Sequence, residues 1–476
     1  MKVTGRAVQP VIAGGKRSRP RLRRSAGIAV AAFLGSSLLT AVAGGAEAAT
    51  LTVCQHGCAY TQVQPALDAA APGDTITVGA GTYSGGLLIG TSVTLWGAGA
   101  GTTIIRGGGP VITVSAQSVT IRGVSVTGGN TTSDGGGILN SGTLTVENAT
   151  VGYNTATGYG GGIANEGSAS PAVAPTSLSV RGVTIAGNAA SADGGGIANL
   201  NAAARVSAST IRRNTAASEG GGIANEGRRA ALTLASDGVS TNSAGDEGGG
   251  IATSSFAMAA LSATTVDGNT AANGGGGVAA FEGGALVVAN GEINANSTPG
   301  VGGGVSIEGV YRHEQSTGTI TDTSINANSA DTGGGVELSL ATVTLTNDAV
   351  NANTATRTGG GIANDPHAQL TLGDTSVTHN TSGGDGGGIS NFANAALTND
   401  TLNANSAVGN GGGVFNGSER FVLALVEGTM TMDPNTGVSR NRAAAGGGID
   451  VAAGTVTLNG ATVAGNIPDN CQPVRC

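Results

Sequence analysis

The sequence is poor in aromatic and charged residues, which make up 3% and 11% of its 476 positions, and it has one tryptophan. Few aromatic rings leave few platforms on which a sugar could stack. No apolar run long enough to span a membrane follows residue 50. Glycine is abundant, at 86 residues, but it lacks the strict three-residue period of collagen. The frequent Val, Ile, Leu and Thr argue against a disordered chain.

The first 48 residues are predicted to be an export signal. Eight Lys and Arg residues precede an apolar stretch from Ala26 to about Ala43, and Ala46-Glu47-Ala48 forms a small-x-small cleavage site. An uncleaved anchor is the alternative, and Arg23-Arg24 leaves the twin-arginine route open beside ordinary secretion. After cleavage 14 basic and 29 acidic residues remain, a net charge of −15. This charge disfavours nucleic acids and anionic membranes as partners of the secreted, extracellular chain.

The four cysteines lie in two pairs near the ends of the mature chain. Cys54 and Cys58 form the first pair, and Cys471 and Cys476 lie in the tail, residues 467–476. In an exported protein an even number of cysteines predicts disulfides, here one short local bridge at each end. A zinc site with His56 beside the first pair is the less favoured alternative.

Three consecutive glycines followed by Ile or Val occur twelve times between Gly135 and Ile449, spaced by 25 to 35 residues. A repeat of this length without a helical pattern predicts one structural coil stacked on the next. The aliphatic residues of the repeat are Ile138, Ile163, Ile197, Ile223, Ile251, Val278, Val305, Val336, Ile362, Ile389, Val414 and Ile449.

The unit that begins at Thr332 shows the pattern within one coil. Val336 and Leu338, then Val343 and Leu345, then Val350 alternate with polar residues, which is typical of short strands with one buried face. Three such strands per unit predict an all-β, single-stranded parallel β-helix. The mature chain would form about 16 coils, with matching strands about 4.8 Å apart.

A second motif, an aliphatic residue followed three positions later by asparagine, runs in phase with the glycines. Asparagine tolerates left-handed backbone at corners, and stacked amides can hydrogen-bond in a ladder, so these residues are interpreted as structural. They are Asn154, Asn188, Asn214, Asn242, Asn269, Asn296, Asn328, Asn353, Asn380, Asn405, Asn441 and Asn466. A further set in Ile-x-Asn is expected to do the same at another corner: Asn140, Asn165, Asn199, Asn225, Asn364, Asn391 and Asn416. The glycines are expected to supply positive φ at a tight bend.

The two motifs resemble the GGA[ILV] and FxxN repeats of the polymorphic outer-membrane protein family, with Gly for Ala and an aliphatic residue for Phe. The resemblance covers about Thr127 to Asn466, and residues 131–466 are assigned to the repeat β-helix. It does not extend to that family's barrel, since the sequence ends NIPDNCQPVRC. Within residues 49–130, the stretch Tyr60–Tyr83 resembles the start of pectin-lyase-like right-handed β-helix proteins. That resemblance implies a right-handed β-helix whose first coil is capped by a short helix, and Val63, Leu67 and Ala70 have helical spacing.

One candidate site is a row of acids that precede the glycines. Asp193, Glu219 and Glu247 occupy this position in three successive coils, with Asp134 two coils earlier. In register their carboxylates would lie about 4.8 Å apart and repel one another. A hard cation such as Ca²⁺ would relieve that repulsion; solvated surface acids without a metal are the alternative. No other cofactor is predicted.

A second candidate is a binding loop in the widened coil between Val305 and Val336, formed by Tyr311, Arg312, His313 and Glu314. Loops that extend from a rigid solenoid often carry binding residues, although a polar surface insertion is the plainer interpretation. The insertion after Asn416 is expected to be an extra strand or a hairpin rather than a site. His367 and His379 are expected to be solvated.

The leading functional hypothesis is a secreted, adhesin-like β-helix that binds surfaces, cell-wall polysaccharides or proteins without catalysing a reaction. The uniform repeat and the lack of a motif for a catalytic cluster favour it. The alternative is an extracellular polysaccharide lyase or hydrolase of the pectin-lyase-like type, which rests on resemblance of fold and on the acidic row.

Overall fold

The computed structural model describes residues 47–310, 315–422 and 424–473. The predicted signal before residue 47, the candidate loop Tyr311–Glu314 and Cys476 lie outside the described residues. From Ala48 onward the described residues form one compact unit. Three long parallel sheets, here called A, B and C, make up most of it, and the chain visits each sheet once per coil.

Sheet A has 16 parallel strands within the described ranges. They are Thr50–Val53, Thr75–Val78, Thr94–Gly97, Val119–Arg122, Thr143–Glu147, Ser177–Arg181, Ala203–Ser207, Ala231–Ala235, Met258–Ser262, Ala285–Ala289, Ser316–Thr321, Ala341–Thr346, Gln369–Gly373, Asn394–Thr398, Thr429–Met432 and Thr455–Thr457.

Sheet B has 15 described strands, all parallel. They are Gly81–Ser84, Thr103–Arg106, Ser125–Thr127, Thr150–Gly152, Thr184–Ala186, Thr210–Arg212, Gly238–Ser240, Thr265–Asp267, Glu292–Asn294, Ser324–Asn326, Ala349–Asn351, Ser376–Thr378, Thr401–Asn403, Gly437–Ser439 and Thr462–Ala464.

Sheet C also has 15 parallel strands in the part of the chain that is described. They are Leu87–Ile89, Ile112–Val114, Ile138–Asn140, Ile163–Glu166, Ile197–Leu200, Ile223–Glu226, Ile251–Ser254, Val278–Phe281, Val305–Glu308, Val336–Ser339, Ile362–Asn364, Ile389–Asn391, Val414–Asn416, Ile449–Val451 and Cys471–Gln472.

Short strands after the asparagine corners form two small parallel sheets. The first contains Asn130–Thr131, Thr155–Ala156, Ala189–Ala190, Thr215–Ala216, Ser243–Ala244 and Thr270–Ala271, and the second Ser329–Thr332, Thr354–Thr358, Thr381–Ser382 and Ser406–Ala407. The insertion after Asn416 is an antiparallel hairpin of Ser418–Phe421 and Ala424–Glu427. The predicted β-helix of about 16 coils is confirmed.

Alternation along each strand builds the core. In Ser177–Arg181, Leu178 and Val180 are buried while the other three residues face outward. Matching positions pair in register from coil to coil, so aliphatic side chains stack on aliphatic side chains along the interior. Burying one Val, Leu or Ile side chain stabilises the fold by about 1.5–3 kcal/mol, and every coil adds further such side chains.

The predicted asparagines form a continuous ladder at the corner after sheet B, here called the corner ladder. From Asn154 to Asn466 each side-chain amide donates to Oδ1 of the asparagine one coil along, at 3.0 Å. The same Oδ1 accepts the preceding asparagine's backbone N–H, as in Asn296 to Asn328 at 2.9 Å. Because every buried amide group finds partners, the ladder avoids the cost of unpaired polar atoms.

The Ile-x-Asn residues form a second ladder, which lies inside the strands of sheet C and is interrupted. Asn140, Asn165, Asn199 and Asn225 are linked by amide hydrogen bonds of 2.7–2.8 Å. Thr253, Ala280, Ile307 and Leu338 take this position in the next coils. The ladder resumes at Asn364, whose buried Oδ1 has no hydrogen-bond partner because Leu338 precedes it in register.

The first glycine of each triplet has positive φ, for example 63° at Gly220, as predicted. The next two lie against the following coil, and a Cβ added at Gly222 would be 2.5 Å from the carbonyl oxygen of Gly250. The repeat therefore needs glycine for backbone conformation and for close approach.

Helix α1, Val63–Ala69, covers the first coil, as the resemblance implied. Val63, Ala66 and Leu67 are its buried residues. Gln64 accepts a hydrogen bond from the backbone N–H of Leu88 at 2.8 Å and donates to its carbonyl at 3.2 Å. The helix thus pairs with an edge strand that would otherwise expose its backbone.

One predicted disulfide lies fully within the described residues. Cys54 and Cys58 are bonded, with Cα atoms 5.5 Å apart, which leaves no thiolate there for zinc. Cys471 is also disulfide-bonded, and its predicted partner Cys476 is outside the described ranges.

Candidate functional site

The acids that precede the glycines lie on successive coils in register. Gly160 donates its backbone N–H to the carbonyl of Asp193, Gly194 to that of Glu219, and Gly220 to that of Glu247, at 2.9–3.0 Å. The spacing of the repeat thus brings Asp193, Glu219 and Glu247 into the predicted row. Asp193 Oδ1 also accepts the backbone N–H of Glu219 at 2.7 Å, so this carboxylate supports the bend as well.

Two further acids, Glu166 and Glu226, which the sequence analysis did not predict, lie at the ends of sheet C strands, with Leu200 between them in register. In Ile223–Glu226 the side chains of Ile223 and Asn225 point inward, and Ala224 and Glu226 take the alternate, outward positions. The glycine bend packs against this outward side. In the next coil a Cβ on Gly248 would be 2.7 Å from Cβ of Ala252, which is the register neighbour of Ala224. These acids and the predicted row therefore meet beside the bend.

The predicted row and the two further acids form what is here called the acidic cleft, made of Glu166, Asp193, Glu219, Glu226 and Glu247. Oxygen atoms of Asp193, Glu219 and Glu226 all lie within 4.8 Å of one another. Oε1 of Glu166 and Oε1 of Glu226 are buried and have no hydrogen-bond partner. Carboxylate oxygens in this arrangement are ligands that Ca²⁺ accepts.

Burial and mutual repulsion raise the pKa values of the cleft. Burial raises the pKa of Glu226 to about 8, and the charges of Asp193, Glu219 and Glu282 add to the effect. Burial, followed by repulsion from Glu308, raises the pKa of Glu247 to about 8.

The other two glutamates of the cleft follow the same rule. Burial, followed by the charge of Asp193, raises the pKa of Glu219 to about 7, although a hydrogen bond from Ser254 lowers it. Burial and Asp134 raise the pKa of Glu166 to about 7. Much of the cleft is therefore protonated at neutral pH.

A deeper acid, Glu337, lies on sheet C beyond the cleft and is 2% exposed. The Ser306 hydroxyl lies 2.8 Å from Glu337 Oε2 and 2.9 Å from Glu308 Oε1. Burial, then the charges of Glu308 and Asp365, raises the pKa of Glu337 well above its usual value. Because one hydroxyl hydrogen cannot serve two carboxylates, a protonated Glu337 that donates to Ser306 satisfies both contacts.

Among the described residues, no basic side chain forms an ion pair with an acid of the cleft. Within the described residues the structure has one ion pair, between Arg357 Nε and Asp331 Oδ2 at 3.0 Å, and it lies outside the cleft. The candidate loop Tyr311, Arg312, His313 and Glu314 is outside the described residues. His367 is exposed and its ring lies 5.0 Å from that of Phe421 in the hairpin, in an edge-on contact.

The outward side chains of sheet A form a second candidate surface, here called the open face. Its central column is mostly threonine and consists of Thr50, Thr75, Thr94, Thr120, Thr145, Ser179, Arg205, Thr233, Ala260, Val287, Thr319, Thr344, Thr371, Ala396, Thr431 and Thr457.

Three shallow grooves follow one another along the open face. They include Thr94 and Thr120, then Thr145 to Thr233, then Thr371 to Thr431. In the described strands of sheet A, Glu147 is the one acidic residue. The surface is thus rich in hydroxyl groups and almost free of negative charge, unlike the cleft.

Part of the chain matches a known family model. Residues 239–372 match the model described as a right handed beta helix region. Together with the parallel sheets, this match confirms the predicted right-handed parallel β-helix. No curated protein sequence matches the chain significantly.

Similar solved structures include the A-module of the mannuronan C-5 epimerase AlgE6 from Azotobacter vinelandii, with 14% identity and a TM-score of 0.37 over 84% of this chain and 93% of that one. The catalytic domain of a GH87 α-1,3-glucanase has 13% identity and a TM-score of 0.36, over 81% and 64%. The alginate lyase AlyF-OU02 has 11% identity and a TM-score of 0.28, over 87% and 84%. All three are distant from this chain in sequence.

Among the described residues, no helix is long and apolar enough to cross a membrane.

Proposed function

We propose that this right-handed β-helix is a secreted module that binds a polysaccharide chain along the open face without reacting with it. The observation that carries the proposal is the central column of the open face, in which 12 of the 16 described positions carry a hydroxyl group. Such an extended surface suits a polymer better than a compact ligand.

The chemistry of the open face supports a glycan as the ligand. Hydroxyl groups both donate and accept hydrogen bonds, as sugar hydroxyls do, and the amides of Gln369 and Asn394 beside Thr371 add both functions. Since each coil repeats the last at about 4.8 Å, successive ligand units can meet similar groups.

Binding without turnover agrees with the distribution of acids. Glycoside hydrolysis uses a pair of carboxyl groups that flank the bond to be cleaved. The described strands of sheet A carry a single acid, Glu147, whose register neighbours are Arg122 and Arg181. A ligand on the open face would therefore lie away from the paired acids of the cleft.

The test is incubation of the protein with a panel of plant and microbial polysaccharides, with and without calcium. We expect co-sedimentation with at least one polymer and no new reducing ends or unsaturated products. Turnover of any polymer would contradict the non-catalytic proposal. Absence of binding across the panel would redirect the search to protein partners.

A second candidate function is a polysaccharide lyase or hydrolase that works in the acidic cleft. The observation that favours it is the closeness of Glu226 and Glu219, with pKa values of about 8 and 7, to Asp193. A glutamic acid that keeps its proton at neutral pH can serve as a general acid. Product formation that is lost in Glu226→Gln and retained in Glu147→Gln would establish this alternative.

Calcium in the cleft is part of the proposal as a structural ion. Asp193, Glu219 and Glu226 can each present an oxygen to one cation, and Glu247 continues the row on the next coil. The ion would neutralise carboxylates that otherwise hold protons.

Secretion is tested by the mature N-terminus. We expect the protein from the culture medium to begin near Ala49, after the Ala46-Glu47-Ala48 site. A protein that keeps the first 48 residues and stays with the cells would support the uncleaved anchor.

A further inference from the structure

One cation on the open face differs from the rest of the surface. Arg122 is the register neighbour of Trp96 on the adjacent strand of sheet A. Its Cζ atom lies 3.7 Å from the centroid of the Trp96 ring, so the guanidinium is stacked on the indole. Trp96 is the single tryptophan of the chain and is 47% exposed, which is unusual for so large an apolar side chain.

The guanidinium of Arg122 is held by this stacking rather than by an acid. Glu147 is its register neighbour on the other side, yet the described part of the chain contains no ion pair between them. Nε of Arg122 is buried and has no hydrogen-bond partner. The outer Nη groups, which the contact with the ring holds in place, are then the planar donors for an incoming anion.

The surroundings extend this positive charge along the same face. Arg181 lies two strands further in the column of Arg122, and Arg205 lies in the central column one strand beyond. Both side chains are exposed. Trp96 lies two positions after Thr94, and Arg122 two positions after Thr120, so all four side chains are on the outward side of the same two strands. The groove that contains Thr94 and Thr120 therefore runs beside Trp96 and Arg122.

We propose that Trp96 and Arg122 form an anion-reading subsite, which selects polysaccharides that carry carboxylate or sulfate groups. This inference rests on the proposed function, because it assumes that the glycan lies on the open face. The anionic group bonds to the free donors of Arg122, while the exposed indole contacts the neighbouring sugar. Arg181 and Arg205 take further anionic groups of the same chain.

The subsite carries its own spectroscopic reporter. Because Trp96 is the only tryptophan, all indole fluorescence of the protein comes from this position. We would titrate the protein with a glucuronate oligomer, a sulfated glucan oligomer and an uncharged glucan oligomer of equal length, and measure binding in parallel by calorimetry. A fluorescence change with an anionic oligomer and none with the neutral one is expected; the two anionic arms separate carboxylate from sulfate.

The variants test the residues directly. Arg122→Gln should weaken binding of the anionic oligomer at least tenfold and remove its fluorescence response. Arg122→Lys, which keeps the charge but loses the planar donors, should weaken it less. Arg212→Gln, on a strand of sheet B, is the matched control and should bind as the unaltered protein does.

Three results would overturn the subsite, and each has a different consequence for the proposed function. Equal binding of the neutral oligomer would keep the open face as a glycan site and remove the selection for anions. Anion binding that Arg122→Gln leaves unchanged, or that produces no fluorescence response, would place the ligand elsewhere. No binding of any oligomer, together with no binding in the polysaccharide panel, would contradict both proposals.

Discussion

The acidic cleft and the open face are built by the same coils, yet they treat charge in opposite ways. In the cleft, the carboxyl groups of Glu219, Glu226 and Asp193 lie close together without a basic partner in the described residues. On the open face, cations such as Arg122 and Arg205 lie among hydroxyl groups with a single acid in the strands. Strand register alone therefore does not decide what a surface of this solenoid can do.

The difference comes from what covers each sheet. The glycine bend packs over the outward side of sheet C and removes Ala224 and part of Glu226 from water. The outward side of sheet A has no such cover at Thr145 or Thr344, which remain partly exposed. A stacked row of acids under a bend loses solvation and takes up protons, whereas a stacked row of threonines in water keeps its hydroxyl groups available.

The largest expected effect is a dependence of stability on pH that the cleft causes. Glu226 and Glu247 have pKa values of about 8, and Glu166 and Glu219 of about 7, when the ordinary value is 4.5. The folded protein therefore holds more protons than the unfolded chain between about pH 4.5 and 8, and its stability falls as pH rises through that window. After a discount for solvent screening of these partly exposed carboxyl groups, we expect a loss on the order of several kcal/mol, measured as the unfolding free energy without calcium at pH 5 and pH 9.

A protein equally stable at both pH values would contradict the cleft electrostatics. Two buried acids outside the cleft also make stability fall as pH rises, since burial raises the pKa of Asp348 to about 7 and of Asp237 to about 6. The cleft's own share must therefore be separated by substitution.

Glu226→Gln should make that separation. At pH 9 the variant lacks a half-buried negative charge beside Asp193 and Glu219, so it should be more stable than the unaltered protein, by about 2–3 kcal/mol after screening by solvent. At pH 5, where the glutamate is protonated, the two should unfold alike. Chemical denaturation at both pH values measures the difference.

Glu147→Gln on the open face is the matched control and should change stability little at either pH, because Glu147 lies on an uncovered surface. If it stabilises the protein at pH 9 as much as Glu226→Gln does, the contrast between the two surfaces is wrong.

Calcium should have a smaller effect. If Asp193, Glu219 and Glu226 hold Ca²⁺ with the modest affinity usual for extracellular sites, millimolar calcium should raise the unfolding free energy by about 1–2 kcal/mol. The melting temperature at pH 8 with calcium or with a chelator measures this. Glu219→Gln should abolish the increase and Glu147→Gln should preserve it; an unchanged melting temperature in the unaltered protein would exclude the ion.

The smallest expected effect is that of a threonine on the open face. Thr344→Val keeps the β-branched shape on an outward position and replaces only the hydroxyl with a methyl group, so the unfolding free energy should change by less than about 0.5 kcal/mol. Denaturant melts of the variant check this. A larger loss would mean that the threonine column supports the fold and is not free for a ligand.

The sequence predicts most of the fold because the same repeat occurs twelve times. Asn296 and Gly222 could be assigned roles because each recurs at one phase of the coil, and a single residue type satisfies the corner amides or the tight approach of the backbone. The row of Asp193 and Glu219 followed from the same period. The period does not indicate how much of the outward side of sheet C the glycine bend covers.

The roles of Glu226, Trp96 and Arg122 were not predicted, because they depend on contacts with other parts of the coil or with neighbouring coils. Glu226 follows Ile-Ala-Asn, and strict alternation along that strand would have placed it outward beside the acidic row. Its raised pKa depends on burial by the glycine bend, which no local sequence pattern predicts. Trp96 and Arg122 are 26 positions apart, and their stacking requires the register of coils that precede the glycine repeat.

Ligand binding by two variants with a bulky side chain on different sheets tests the open face most sharply. Thr233→Tyr fills a groove of the open face, and Thr210→Tyr places the same side chain on sheet B. With a polysaccharide that the unaltered protein binds, we predict that Thr233→Tyr loses co-sedimentation while Thr210→Tyr and Glu226→Gln retain it. Retained binding by Thr233→Tyr, with loss in Glu226→Gln, would be incompatible with a ligand on the open face and would move it to the acidic cleft.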